Sequence, residues 1–301
     1  MYPIVWEWPS LSSYGLLLTW GWFAGWWWAR RRAARQGLPT WCVDLLVPLL
    51  WLASGLGSRL AGWLQAAVIQ QAVPQRAIYG SLIATLIVSW IYARIARISW
   101  GRLCDVCAPA VLLGIGLLRV GCLLGGCCWG DVCGKTDQIA GIRDLSLQRQ
   151  VQTIPPLCPA NLPWRVTYPE GSGAYLQHRS AGLLAANDLR SLPVHPVQLY
   201  EAVAAWTLVI LLLLIEPRLP APGCLLLLSV SGYAALRFVV EWFRADQQLL
   251  FGDLTLNQYV SVILVCACGI VLVRTYGSLK TSESTRVSSS TLPQSAEMKS
   301  E

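Results

Sequence analysis

Three arginines stand where a charge is costly. Arg119 interrupts the apolar run "VLLGIGLLRVG", Arg237 interrupts the run that follows Gly223, and Arg59 lies 17 residues into the run that opens at Cys42. An ionisable residue inside a membrane-length segment marks a functional site by default, because lipid does not solvate its charge. Arg119 follows Asp105 by 14 residues and Arg237 follows Gly223 by 14, which places each roughly 20 Å along its helix, with Arg59 roughly 25 Å along. In a hydrocarbon core about 30 Å thick all three fall in one half. Tyr79 and Gly80 open the third apolar run in that half, His195 and Glu201 open the fifth, and Glu241 and Arg244 close the sixth. Planar, permanently charged guanidinium groups suit phosphate recognition, and the phosphates at that depth are lipid headgroups. Glu241 shares a helical face with Arg237, four residues earlier. It and Glu201 would hold the arginines and balance the unliganded site. Plainer readings exist for each group: Arg244 snorkelling to the interface, the two glutamates as structural ion-pair partners, Tyr79 as an interfacial anchor, and His195, before Pro196, as a helix cap.

Only a polytopic helical membrane protein positions such residues together. The 301-residue chain is 55% hydrophobic and 13% charged, about half the charge of a soluble domain. Seven apolar runs, near 12–29, 42–65, 77–97, 106–125, 196–215, 223–243 and 255–273, approach the roughly 20 residues that cross a bilayer. The expected fold is all-α with seven transmembrane helices. Residues 1–125 carry the first four helices, 126–194 a small extracytoplasmic head with a candidate strand at 164–168, 195–275 the last three helices, and 276–301 a disordered cytoplasmic tail. Arg30, Arg31, Arg32 and Arg35 follow the first run, Arg94, Arg97 and Arg102 lie in the third connection, Arg218 in the fifth, and Arg274, Lys280 and Arg286 in the tail. The positive-inside rule then sets the N-terminus outside and the C-terminus in the cytoplasm. Basic residues after the first run, rather than before it, argue against a cleaved signal peptide. The net charge of +7 sits in short clusters between apolar runs, so it reads as topology signal facing anionic lipid, not as a nucleic-acid surface.

Eleven cysteines raise a different class of chemistry. Cys104 and Cys107 form C-x-x-C, a redox or metal motif in a suitable setting, and Cys127, Cys128 and Cys133 follow. The expected topology puts the two groups on opposite sides of the bilayer. No compact four-ligand set on one side suits zinc, so neither a metal nor another cofactor is expected. A disulfide among Cys127, Cys128, Cys133 and Cys158 would suit an oxidising exterior. A membrane thiol-disulfide oxidoreductase is the alternative from another class. A transporter is disfavoured, since no paired half-repeats are visible. Gly121, Gly125 and Gly126 permit close helix approach or an unwound exit after Arg119.

In order along most of the chain, "SYGLLLTWGWFAGWWWARRRA", "GLGSRLAG", "YGSLIA", "LCDVCAPAVLLGIGLLRVGCLLGGCCWG", "VHPVQLYE", "LRFVVEWFR" and "LTLNQYVSV" resemble the conserved blocks of the prolipoprotein diacylglyceryl transferase family. The resemblance implies a multi-pass protein of the bacterial cytoplasmic (inner) membrane. It would move the diacylglyceryl group of phosphatidylglycerol onto the lipobox cysteine of a prolipoprotein and release glycerol phosphate. It also implies catalytic roles for Arg119 and Arg237; the base stays open between Tyr79 and His195, with Tyr79 favoured as a hydrogen-bonding group. Substrate-binding roles fall to Tyr14, Arg59, Gly80, Gly121, Glu201, Glu241 and Arg244. A monomer without nucleic-acid partners is expected; the alternative within the family is a lipid-binding relative that transfers nothing. The chain departs from the family pattern with Tyr79 for an often-seen histidine, Ser81 for a second glycine, Cys122 for an asparagine, and Cys127 where some members have a carboxylate.

Overall fold

The computed structural model describes residues 4–6, 11–69, 78–133, 163–185, 187–245 and 254–290. A helix forms on each of the seven apolar runs: α1 (Ser13–Arg35), α2 (Trp41–Ile69), α3 (Ile78–Ile95), α4 (Trp100–Gly125), α6 (Val197–Ile215), α7 (Cys224–Glu241) and α8 (Leu256–Ser290). A short helix α5 (Gly173–Ser180) lies in the head, and a small antiparallel hairpin, β1 (Ile4–Trp6) with β2 (Leu11–Ser12), precedes α1. Helices α2, α4, α6, α7 and α8 are long and apolar enough to cross a membrane. Large side chains such as Trp51, Leu56, Leu60, Leu214 and Ile263 point outward and exposed, the arrangement that lipid, not water, stabilises. The protein is a multi-pass membrane protein. Five tryptophans and three consecutive arginines lower the hydropathy of α1; Arg31 stacks on Trp27 at 3.8 Å, and such pairs belong at a membrane–water boundary.

Helix α4 is the axle of the bundle, packed by α1, α6 and α7. Small residues set the α1 contact: a Cβ on Gly25 would stand 3.4 Å from the Ala110 carbonyl and one on Gly21 3.6 Å from that of Gly114. On the other side Gly116 makes room for Trp206, whose indole donates to the Leu113 carbonyl at 3.3 Å. The α2–α3 pair is closer still. Gly57 and Ala61 face Gly80 and Ala84, and an added Cβ at either glycine would lie 2.5 Å or less from the other's carbonyl oxygen. This is the small-x-x-x-small pattern by which helices attract in lipid, where no hydrophobic effect drives them together.

The end of α4 remote from Arg119 is locked by charge. Asp105 accepts from the backbone N–H groups of Gly223 (2.6 Å) and Leu226 (2.7 Å), capping α7 from another helix. Arg32 pairs with Glu216 at 2.6 Å and donates to the carbonyls of Val106 and Asp105. Part of the basic cluster read as topology signal is therefore a buried clamp.

Three further expectations need correction. The tail expected to be disordered from 276 is helical to Ser290. No proline falls between Leu256 and Ser290, so a helix nucleated in the span propagates; residues 291–301 lie outside the described residues. The strand at 164–168 reduces to isolated bridges, Val166 with Val194 and Pro169 with Arg190. Its side chains pack instead in a small head core of Val132, Tyr168, Ala174 and Val194. Finally, Cys127 and Cys128 carry free thiols, and Cys158 lies outside the described residues.

Candidate active site

Glu201, near the start of α6, is the hub. Its carboxylate is 2.9 Å from Arg119 Nε of α4 and accepts from Arg237 Nη1 (3.1 Å) and Tyr233 Oη (2.6 Å) of α7. Arg237 Nη2 donates to Glu241 at 2.8 Å, one turn along. Glu241 in turn accepts from Thr255 Oγ1 (3.1 Å) and Asn257 Nδ2 (2.7 Å) at the mouth of α8. Both glutamates are 3% exposed or less. Four helices thus converge on two carboxylates, and every carboxylate oxygen has a donor or cation. Breaking such a buried pair from one side costs about 3–5 kcal/mol, because the other charge stays behind.

The two arginines are not equivalent. Arg237 spends both terminal nitrogens on glutamates. Arg119 touches Glu201 by distance only: its buried Nε–H is not aimed at an acceptor. Among the described residues the Arg119 guanidinium makes no aligned hydrogen bond, so the Glu201 ion pair is its contact in the network. Its side chain is 16% exposed. Tyr14 and Arg119 lie within electrostatic reach of each other, and a Cβ on Gly121 would touch Tyr14 at 3.5 Å. Gly121 therefore seats α1 beside Arg119. Arg244, just past α7, is tied to Gly130 by a backbone bridge.

Other predicted residues stand elsewhere. His195 is buried, its Nδ1 3.2 Å from Tyr200 Oη, with Phe243 edge-on at 5.7 Å. Its carbonyl accepts from Gly130 and its N–H donates to Asp131. The ring joins an aromatic cluster with Tyr200 and Phe243. Gly80 serves the α2–α3 contact, against Gly57 and Ala61. Arg59 is exposed on α2 with no hydrogen-bond or ion-pair partner among the described residues. Tyr79 lies in the first turn of α3, and its side chain is outside the described ones.

Sequence reading missed Tyr233, Thr255 and Asn257. A signal existed for Tyr233, which precedes Arg237 by four residues on one face. Asn257 and Thr255 are polar residues at the opening of an apolar run, but only tertiary packing shows whose carboxylate they reach. Gln198 was also missed. Its Nε2 donates to the Cys127 carbonyl (2.7 Å) and to Tyr168 Oη (2.9 Å), joining the loop after α4 to the head. Burial pushes the Tyr168 phenol up to about 12, so it stays protonated at this joint.

An apolar groove of about 550 Å³ runs along α6 and α7, lined by Leu199, Val203, Leu211, Gly232 and Leu236. Glu201 and Arg237 belong to the same two helices, one residue from lining positions Tyr200 and Leu236. The apolar groove and the buried ion network thus lie on the same two helices.

Comparison with known proteins agrees with this geometry. The family model for prolipoprotein diacylglyceryl transferase matches residues 3–274. The phosphatidylglycerol–prolipoprotein diacylglyceryl transferase of Erwinia tasmaniensis is 28% identical over 293 residues, covering 89% of each chain. That of Geobacter sulfurreducens is 28% identical over 264 residues, 82% of this chain and 84% of the relative. That of Bacillus licheniformis is 25% identical over 278 residues, 89% of each. A match that runs from before α1 into α8, and takes in both arginines and both glutamates, leaves one conclusion: this chain belongs to the prolipoprotein diacylglyceryl transferase family.

Proposed function

We propose that the protein transfers the diacylglyceryl group of phosphatidylglycerol to the lipobox cysteine of a prolipoprotein, and that Arg119 and Arg237 bind the phosphate. The cysteine sulfur attacks the glycerol carbon that carries the phosphate ester. The C–O bond breaks, its electron pair goes to the departing phosphate, and a thioether and glycerol phosphate result. Charge grows on the bridging oxygen as the bond breaks. Preorganised cations at that oxygen lower the barrier most, because no solvent needs to reorient. The observation that carries this reading is the convergence of Arg119 and Arg237, from separate helices, on the single buried carboxylate of Glu201 at 2.9 and 3.1 Å. The charges of Arg119 and Arg237 balance those of Glu201 and Glu241.

Tyr14, Gly121 and Arg244 shape the headgroup corner, with Gly80 and Arg59 on the α2–α3 flank of the substrate path. The acyl chains lie in the α6–α7 groove, which opens sideways. The substrate thiol loses its proton to Tyr79 or His195. Seven spans place the N-terminus outside and the C-terminus in the cytoplasm, with the head of residues 126–194 facing outward. The enzyme acts as a monomer in the bacterial inner membrane and uses no cofactor.

The test is purified protein with phosphatidylglycerol vesicles and a lipobox peptide, read by peptide mass. A diacylglyceryl mass gain is expected. No gain, while a related transferase succeeds in parallel, would point to a lipid-binding relative without transfer.

A further inference from the structure

The loop that ends α4 does more than turn the chain. Gly126 caps the helix in the left-handed region at φ 68°, its N–H reaching back to the Cys122 and Leu123 carbonyls. The Cys127 N–H then donates to the Cys122 carbonyl at 3.1 Å. Cys128 is also left-handed, at φ 57°, a conformation that costs a residue with a Cβ roughly 1–2 kcal/mol. The turn folds the Cys127–Cys128 pair back over Cys122, and all three sulfurs lie within 4.8 Å of one another. Sequence reading grouped Cys127 and Cys128 with Cys133 and Cys158; the helix cap groups them with Cys122 instead.

We propose that Cys122, Cys127 and Cys128 form a three-sulfur binding site for a soft monovalent metal ion of the Cu(I) class. A metal held about 2.3 Å from each of three sulfurs needs sulfurs about 4 Å apart, so small side-chain rotations close the triangle. Cys122 is buried, whereas Cys127 and Cys128 are half-exposed, which gives an ion a way in. Thiolates select soft cations. No fourth Cys, His, Asp or Glu joins the group among the described residues, which disfavours tetrahedral zinc and suits a trigonal ion. On binding, each thiol that ligates gives its proton to solvent as a metal–sulfur bond forms. Three thiolates and one monovalent ion carry two net negative charges. Arg119 lies within electrostatic reach of Cys122 and Cys128, and Arg244 within reach of Cys128, so these cations offset that charge. Because Arg119 is also the phosphate ligand in the reading above, an occupied site would oppose an anionic headgroup; that consequence rests on the proposed function, whereas metal binding does not.

The experiment is an anaerobic titration of full-length protein in detergent micelles with Cu(I), in competition with bicinchoninate. The wild type should hold about one Cu(I) per chain against the competitor. Cys127→Ser and Cys128→Ser, both at half-exposed loop positions, should lose it, and Cys266→Ser on α8 should keep it. X-ray absorption of the bound ion should show three sulfur neighbours. A wild type no better than the Cys127→Ser/Cys128→Ser double variant would overturn the proposal. So would preferential uptake of Zn(II), or a copper signal that follows Cys104 and Cys107 at the other end of α4.

Discussion

Glu201 separates two guanidinium groups that would repel if left alone in a low-dielectric interior. Replacing it with the isosteric glutamine keeps the shape and removes the charge. Glu201→Gln should therefore lower thermal stability in detergent and cut turnover at least about tenfold, with intact membrane insertion, since an uncompensated buried cation is costly. The arginines differ in a testable way. Arg119→Ala should reduce lipidation by roughly 100-fold or more, the usual effect of deleting a donor at a developing negative charge, and should lower the melting temperature less than Arg237→Ala does, because Glu201 keeps Arg237 and Tyr233 as donors. Arg237→Ala should abolish turnover and destabilise as well, since it strands both Glu201 and Glu241. Peptide mass and melting temperature, measured together, separate the two outcomes. Equal melting losses for both variants would contradict the asymmetry.

At the scale of elements, close packing and a buried histidine each set a limit. Gly80→Leu would force a side chain into the Gly57 carbonyl, so α2 and α3 must separate. The expected result is a lower melting temperature together with weaker phosphatidylglycerol binding by the folded protein; a lower melting temperature with lipid binding unchanged would make Gly80 a packing residue only. In the head, the Leu192 N–H donates to His178 Nδ1 at 3.2 Å. Burial pulls the imidazole down from 6.5 to about 4, so the folded head prefers neutral histidine. That preference is fully present above pH 6.5 and is lost as pH falls from 6.5 toward 4, a difference on the order of 3 kcal/mol. Hydrogen exchange in residues 163–185 should accelerate over that window, and His178→Gln should flatten the pH dependence.

For the whole molecule, orientation is the decisive property, because a lipobox cysteine and a headgroup must meet on one side. With the basic clusters inside, a fluorescent protein fused after Glu301 should mature in the cytoplasm, and alkaline phosphatase inserted after Asn187 should be active outside. The reverse pattern would put Arg119 at the wrong face for an exported precursor. The Asp105 cap on α7 and the Arg32–Glu216 pair brace the opposite end of the bundle. The two ends of α4 thus carry separate ionic networks, joined by an apolar middle.

Composition and the length of the apolar runs alone determined that this is a multi-pass helical protein, where its apolar segments lie, and that Arg119, Arg237, Glu201 and Glu241 belong to one depth. Those features follow from solvent preference and helical rise, which are local. Tertiary structure decided which of the residues at that depth touch. It joined Arg119 and Arg237 to Glu201, brought in Tyr233, Thr255 and Asn257, left Arg59 and Gly80 on a separate helix pair, and turned His195 into an aromatic cluster. It also gathered Cys122 with Cys127 and Cys128. Contacts between segments depend on how small residues let helices approach and how a helix end turns back, and neither can be read from one segment alone.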